Sequence, residues 1–519
     1  MISVSRPTRI PRSLLLTCIA VALIAVLPVA ITIIQAFQGG FSSARHAFGA
    51  SSTPRLLLHT LELAVIVTPV CGVVGVASAW VVERTRIPGR RIWTLLLVLP
   101  LAVPLFVTSY AWATLSTSLT GFWGAAGITA SSYYPIVFLL VAASLRVMDP
   151  ALEESARSLG QGPWRTFWRV VMPQLRPALL GGMLLVLLDT LVEFDAFVAL
   201  KFQTLSVNIY SQYQLSFSAS GAAALALIST VVCLIILFGE SWLRGGANYT
   251  RISQGARRGI ARYELGHRAK AIALAGLLLL VAISVGIPLV RLVIWLGEGT
   301  RTAGAAAPGS GVWSATLTTV LLGISAALVS ILLALPIAIL AVRRSGKVVT
   351  ALERSVYLSF ALPDLVAAIA LAYGAAHVAH FLYGTVVLLV LAEAMLFVPF
   401  AVVALRSTIG LIEPALEESA RSLGLGPLRT VWRVTIPLAR PGLAAAGVLV
   451  FAFVLGDLST AQVLLPPGLT TLGTQFWSDA TTVAFAAAAP YAAALIVLAL
   501  LATYVLMSRF GRVRAHASS

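Results

Sequence analysis

Glu153, Glu154 and Arg157 lie in the stretch Pro150–Pro177, PALEESARSLGQGPWRTFWRVVMPQLRP. The same groups return as Glu417, Glu418 and Arg421 in Pro414–Pro441, PALEESARSLGLGPLRTVWRVTIPLARP, and the two stretches agree at 21 of 28 positions. Carboxylates and guanidiniums at this spacing form ion pairs and docking contacts. Nothing nearby offers bond-breaking chemistry, because the chain has no HExxH, no GxSxG and no inward His/Asp cluster with ligand spacing. A repeat of roughly 260 residues is too long for a solenoid unit and means two copies of one domain. Each copy presents the same polar device, so the chain works with a pair.

A second set of acids sits within apolar runs: Glu62, Asp189, Glu193, Asp195, Asp364, Glu393 and Asp457. A bare carboxylate there costs roughly 2.5–3.5 kcal/mol on the lenient insertion scale, so each must face protein, water or a counter-charge. Glu193 and Asp457 are equivalent under the 264-residue offset that relates the two charged blocks. Glu193, Asp195, Asp364 and Asp457 form a candidate translocation path, since hard oxygen ligands suit a hard cation such as ferric iron. The competing reading has them bonding neighbouring helices or backbone at kinks. His377 and His380, one turn apart, read as interfacial residues, and no metal site is assigned.

The elements that must position these groups are membrane spans. Apolar residues are 59% of the 519, charged residues 11%, and mean hydropathy is +0.95. A soluble fold could not hide that surface. The net charge of +17 would point to nucleic acid in a soluble protein, but here the positions of the charges matter more than their sum. Spans are expected at 13–37, 56–82, 92–115, 133–147, 178–200 and 221–242, then at 271–297, 313–342, 356–379, 384–405, 442–464 and 486–508. Pro28, Pro69, Pro100, Pro104, Pro288, Pro336 and Pro363 mark kinks. The fold class is therefore all-α and polytopic, with two parallel six-helix repeats.

With the N-terminus inside, only Arg45, Arg55, Lys201, Arg291 and Arg301 of the 36 Lys and Arg fall outside or in outer span ends. The positive-inside bias then puts both termini, both charged blocks and the basic connector in the cytoplasm. The first apolar run is too long for a signal-peptide core and reads as a retained span. The domains are 1–242, a connector 243–270, and 271–519. Cys18, Cys71 and Cys233 lie in apolar stretches and read as small hydrophobes.

Each charged block decomposes into two short helices. Glu153 suits the first turn of one and faces Arg157 one turn on. Leu152, Ala156 and Leu159 make an apolar stripe, and Gly160 is a natural C-terminal cap. Pro163 opens the second, which interleaves Trp164, Phe167 and Trp168 with Arg165 and Arg169. Pro173 is expected to close it, and Pro177 to start the next span. A basic amphipathic loop lying on headgroups explains the charge, but not near-identity between halves that have otherwise drifted.

The block Glu154-Ser155-Ala156 with Gly160 and Pro173, and its copy Glu418-Ser419-Ala420 with Gly424 and Pro437, resembles the EAA loop of ABC-importer permeases. Ser replaces the first Ala of the usual pattern in both copies. LPLAVPLFVTSYAW (99–112), LPDLVAAIALAY (362–373), FDAFVALKFQTLSVNIYSQY (194–213) and GDLSTAQVLLPPGLTTLGTQ (456–475) resemble fused two-domain permeases of the ferric-iron type, with thiamine and aminoethylphosphonate relatives. The resemblance implies an inner-membrane, non-catalytic subunit that imports ferric iron, or alternatively thiamine, aminoethylphosphonate or polyamine. It also implies that Glu153, Glu154, Ser155, Ala156, Arg157, Gly160 and Pro173, with Glu417, Glu418, Ser419, Ala420, Arg421, Gly424 and Pro437, form the loops that dock on a cytoplasmic ATPase dimer. A periplasmic binding protein would deliver substrate. The chain would bind no cofactor of its own, and ATP would be used by the partner, in keeping with the lack of a GxxxxGK[ST] loop. An ion-coupled transporter of facilitator type is the competing class. Its glycine, acid and paired-arginine motif does not match ERTRIPGRR, which follows the second span.

Overall fold

The computed structural model describes residues 12–38, 52–148, 150–214, 219–243, 262–302, 310–344 and 346–516. Most of the basic connector, 244–261, lies outside them. The described residues are helical, and their one extended pairing is a bridge between Thr85 and Tyr263. In chain order the first repeat contains α1 Arg12–Gln38, α2 Thr53–Arg84, α3 Arg90–Val98, α4 Leu105–Ala113, α5 Phe122–Val147 and α6 Pro150–Ser158. It continues with α7 Met172–Val192, α8 Asp195–Ala199, α9 Leu205–Gln214 and α10 Ala219–Leu243. The second contains α11 His267–Val281, α12 Ile287–Thr302, α13 Ser310–Arg343, α14 Lys347–Tyr357, α15 Asp364–His377 and α16 Val386–Ile409. After these come α17 Pro414–Ser422, α18 Ile436–Gly456, α19 Ser459–Leu464, α20 Leu472–Thr481 and α21 Phe485–His516.

Among the described residues nine helices are long and apolar enough to cross a membrane, ten with the bent pair Arg90–Ala102 and Leu105–Ala113. Two shorter apolar helices, Ser220–Ile236 and Asp364–His377, fall where the two remaining expected spans lie. The chain is thus an all-α polytopic membrane protein.

Four expected spans differ in detail. The one at 92–115 bends by 86° around Val103 and Pro104. Its counterpart at 356–379 breaks before Asp364, where Pro363 is the N-cap of α15. By contrast Pro28, Pro69 and Pro336 sit inside continuous helices. The span expected at 133–147 begins at Phe122, because Gly, Ser and Thr pack well between membrane helices although hydropathy does not flag them. Pro173 does not end a helix either. Helix runs from Trp164 to Val192, with a π turn at Phe167–Val171 just before it.

That turn recurs at Val431–Thr435 before Pro437 and at Ala282–Gly286 before Pro288. Proline lacks an N–H and its ring would strike the carbonyl four residues back. A wider π turn relieves both problems without stopping the helix.

The chain divides into two compact units, each with a three-helix centre. In one, α2, α5 and α7 pack together; in the other, α13, α16 and α18 do. A Cβ on Gly75 would come 2.7 Å from Val137 Cβ, and one on Gly182 would come 3.0 Å from Val137 Cα, so these glycines set how closely α2 and α7 approach α5. The units cut across the sequence halves. Helix α1 packs on α14 and α15, within the unit holding most of the second half. Helix α11 packs on α3, within the unit holding most of the first.

Candidate functional site

In each repeat the charged block folds as a short helix, a glycine turn and a second helical turn leading into a span. Helix α6 ends at Gly160, whose φ of 78° is a left-handed conformation that favours glycine. The turn closes with Gln161 N–H donating to the Ala156 carbonyl at 3.1 Å and Gly160 N–H to Arg157 at 3.0 Å. Helix α17 ends the same way at Gly424, φ 90°, with Leu425 N–H to Ala420 at 3.1 Å and Gly424 N–H to Arg421 at 3.0 Å.

The two glutamates of each block part company. Glu154 and Glu418 are exposed, with Ser155, Ser419, Arg157 and Arg421. Leu159, Trp164 and Trp168 are exposed beside the first pair, and Leu423, Leu428 and Trp432 beside the second. Leu159 therefore does not join Ala156 in an inward stripe; Ala156 is buried, and so is Ala420.

Glu153 and Glu417 are buried and face arginines at the ends of long spans. Arg84 Nη2 lies 2.8 Å from Glu153 Oε1, and Arg343 Nη2 lies 3.0 Å from Glu417 Oε1. The expected Glu153–Arg157 pair does not form. Burial selects the distant partner, and the Arg157 guanidinium instead covers the Tyr263 ring at 4.9 Å.

A third group completes each cluster from a different place. Thr435 Oγ1 donates to Glu417 Oε1 at 2.9 Å. Position 171, its equivalent, is valine, and there Tyr263 O–H donates to Glu153 Oε2 at 3.3 Å. Tyr263 is held by backbone bonds, its N–H to the Arg84 carbonyl at 2.8 Å and its carbonyl from Arg86 N–H at 3.0 Å. Burial, and next the Glu153 carboxylate, raise its phenol above the ordinary tyrosine value and keep it a donor. Arg84, Arg343 and Tyr263 escaped sequence reasoning except as inside charges and connector. The arginines are related by an offset of 259, so the 264 of the charged blocks does not align them.

The intramembrane acids gather at helix breaks. Glu193 follows α7, and its Oε1 accepts from Ala196 N–H at 3.0 Å while Oε2 accepts from Tyr133 O–H at 3.0 Å. Asp457 follows α18, and its Oδ1 accepts from Thr460 N–H at 3.2 Å. Each equivalent carboxylate therefore satisfies an orphan N–H at the start of a short helix, where the helix dipole also favours it. Asp195 is buried at the first position of α8, and Asp364 opens α15.

The carboxylates of Asp189, Glu193 and Asp195 act electrostatically on Tyr133 in one unit, and those of Asp364 and Asp457 on the fully buried Glu393 in the other. Among the described residues no group of three or more His, Cys, Asp or Glu is placed to hold a metal ion. His377 stacks on Tyr373 with centroids 4.0 Å apart, and His380 falls beyond the end of α15.

The geometry of twin loops on a polytopic scaffold agrees with what the chain is similar to. The family described as binding-protein-dependent transport system inner membrane component matches it twice, at residues 72–244 and 330–513. The Fe(3+)-transport system permease protein FbpB 2 of Haemophilus influenzae is 32% identical over 96% of this chain and 99% of its own length. The ferric transport system permease protein FbpB of Actinobacillus pleuropneumoniae is 25% identical over 79% of this chain and 64% of its own. The sulfate transport system permease protein CysT of Escherichia coli is 30% identical over 45% of this chain and 90% of its own. With both repeats matched by one family and a relative similar along nearly its whole length, the chain belongs to the inner membrane components of binding-protein-dependent transport systems, the permeases of ABC importers.

Proposed function

We propose that this permease carries ferric iron, delivered by a periplasmic binding protein, through the inner membrane at the expense of ATP hydrolysed by a separate ATPase dimer. The observation that carries the reading is the doubled loop. Two near-identical helices each hold one glutamate inward on an arginine and present the other outward beside exposed leucine and tryptophan. Exposed apolar and charged groups on a stiff helix suit insertion into a partner's groove. On this reading both loops and both termini are cytoplasmic, which the lysine and arginine distribution supports.

Iron as cargo is supported by the similarity to a permease named for Fe(3+) and by acids at the helix breaks. Broken helices in membranes line polar paths, because their freed backbone groups need polar neighbours. Glu193 and Asp195 in one repeat, and Asp364 and Asp457 in the other, are the residues proposed to meet the cargo in transit.

The test is uptake into proteoliposomes holding this chain, the ATPase and the binding protein. Ferric iron should accumulate only with ATP inside the ATPase compartment and should ignore a proton gradient. Uptake driven by the gradient alone contradicts the reading. Accumulation of sulfate but not iron would leave the machinery standing and replace the cargo.

A further inference from the structure

Arg84 and Glu153 are among the most buried charged groups of their unit, at 1% and 5% exposure. The pair recurs as Arg343 and Glu417, although 69 residues separate the partners in one repeat and 74 in the other. A length change between the partners has left the contact in place. The hydroxyl that donates to the carboxylate is likewise kept by different means, Thr435 in one repeat and Tyr263 where valine stands in its place. Stability alone does not explain this, since well-packed apolar residues commonly replace a buried ion pair at no loss. What a charged pair adds is a specific tie between two elements, since either charge left alone in the interior is costly.

Here the tie joins the first turn of the loop helix to the last turn of the longest span in its repeat, α2 or α13. Arg343 also donates to the Ile412 carbonyl at 3.0 Å, just ahead of α17.

Resting on the reading of the loops as the ATPase contact, we propose that Arg84 and Arg343 are positioning residues of the transport cycle. Each pins a loop helix to a span through Glu153 or Glu417, so that displacement of the loop becomes displacement of the span. The neighbouring Glu154 and Glu418 remain free to meet the partner. Grip and transmission are thus divided between adjacent residues.

The test uses the reconstituted transporter with its ATPase and binding protein, carrying Glu153→Gln with Glu417→Gln. The ATPase should co-purify as before and ATP hydrolysis should persist, while iron taken up per ATP falls about tenfold. Arg84→Lys with Arg343→Lys, which keeps a cation against each carboxylate, should retain most of that ratio. An unchanged ratio in the glutamine variant, with the complex intact, overturns the proposal. So does an equal loss in the lysine and glutamine variants.

Should the glutamine variant not accumulate, Tyr263→Phe with Thr435→Val removes one hydrogen bond from each carboxylate and leaves the ion pairs. It should lower the ratio by about threefold, and no change there overturns the proposal equally. If the ATPase fails to co-purify with the unaltered chain, the loop reading itself falls, and this inference with it.

Discussion

Glu153 and Glu154 are neighbours with opposite surroundings, one sealed against Arg84 and the other exposed. Replacing Glu153 with alanine strands a buried guanidinium whose Nε and Nη1 have no other hydrogen-bond partner among the described residues. The expected loss is about 3–5 kcal/mol, read as a lower melting temperature in detergent. Glu154→Ala should change stability by less than about 0.5 kcal/mol, while weakening ATPase association. Similar melting of the two variants would show that Glu153 is not sealed. Gly160→Ala places a methyl group in open space, yet forces an L-residue into the left-handed region at a cost of about 1–2 kcal/mol. At this scale the sequence showed which residue types matter but not their partners. Spacing pointed from Glu153 to Arg157, one turn away, whereas Arg84 stands 69 residues earlier and only folding brings it near.

Helices form the next level, and the carboxylates within the spans gather where helices are interrupted. Thr60 on α2 accepts the Leu205 N–H at the start of α9 at 2.9 Å, and Thr319 on α13 accepts the Leu472 N–H at the start of α20 at 2.9 Å. Valine at either threonine leaves a buried N–H unmet, and each substitution should cost about 1–3 kcal/mol by thermal denaturation. Gly75→Val should be more damaging than Gly276→Val, because the first meets Val137 while the second faces open space. Retained protein after mild heating in detergent would rank them. Hydropathy located the long spans because apolar length is a one-dimensional signal. It missed the π turns and placed the start of α5 too late. Proline position alone does not say whether a helix bends, widens or continues, as Pro104, Pro173 and Pro69 show. The acids at 193 and 457 were visible as equivalents, but their hydrogen bonds to Ala196 and Thr460 depend on where the helices stop.

Across the whole molecule, duplication is the organising fact. The arginine–glutamate pair, the glycine turn, the π turn that follows each charged helix ahead of Pro173 or Pro437, the capping threonine and the carboxylate at the break each occur once per repeat. Duplication was plain from Pro150–Pro177 and Pro414–Pro441, yet the interleaving of the chain between units was not, since α1 and α11 carry no charge pattern naming their neighbours. For transport, Glu193→Gln with Asp457→Asn keeps an acceptor for each backbone N–H and removes both carboxyl groups. Iron uptake should fall about tenfold if the carboxylates face a trivalent cation in transit, while uptake at the parent rate would leave them as helix caps.

Both loops are proposed to grip a nucleotide-hydrolysing partner. Cys18, Cys71 and Cys233 are buried, so single cysteines at exposed Ser155 and Ser419 can be addressed separately by a thiol-directed crosslinker. In inner-membrane vesicles containing the ATPase, each cysteine should give a crosslinked product with that subunit. A product from neither position, with the ATPase present and active, would contradict the account.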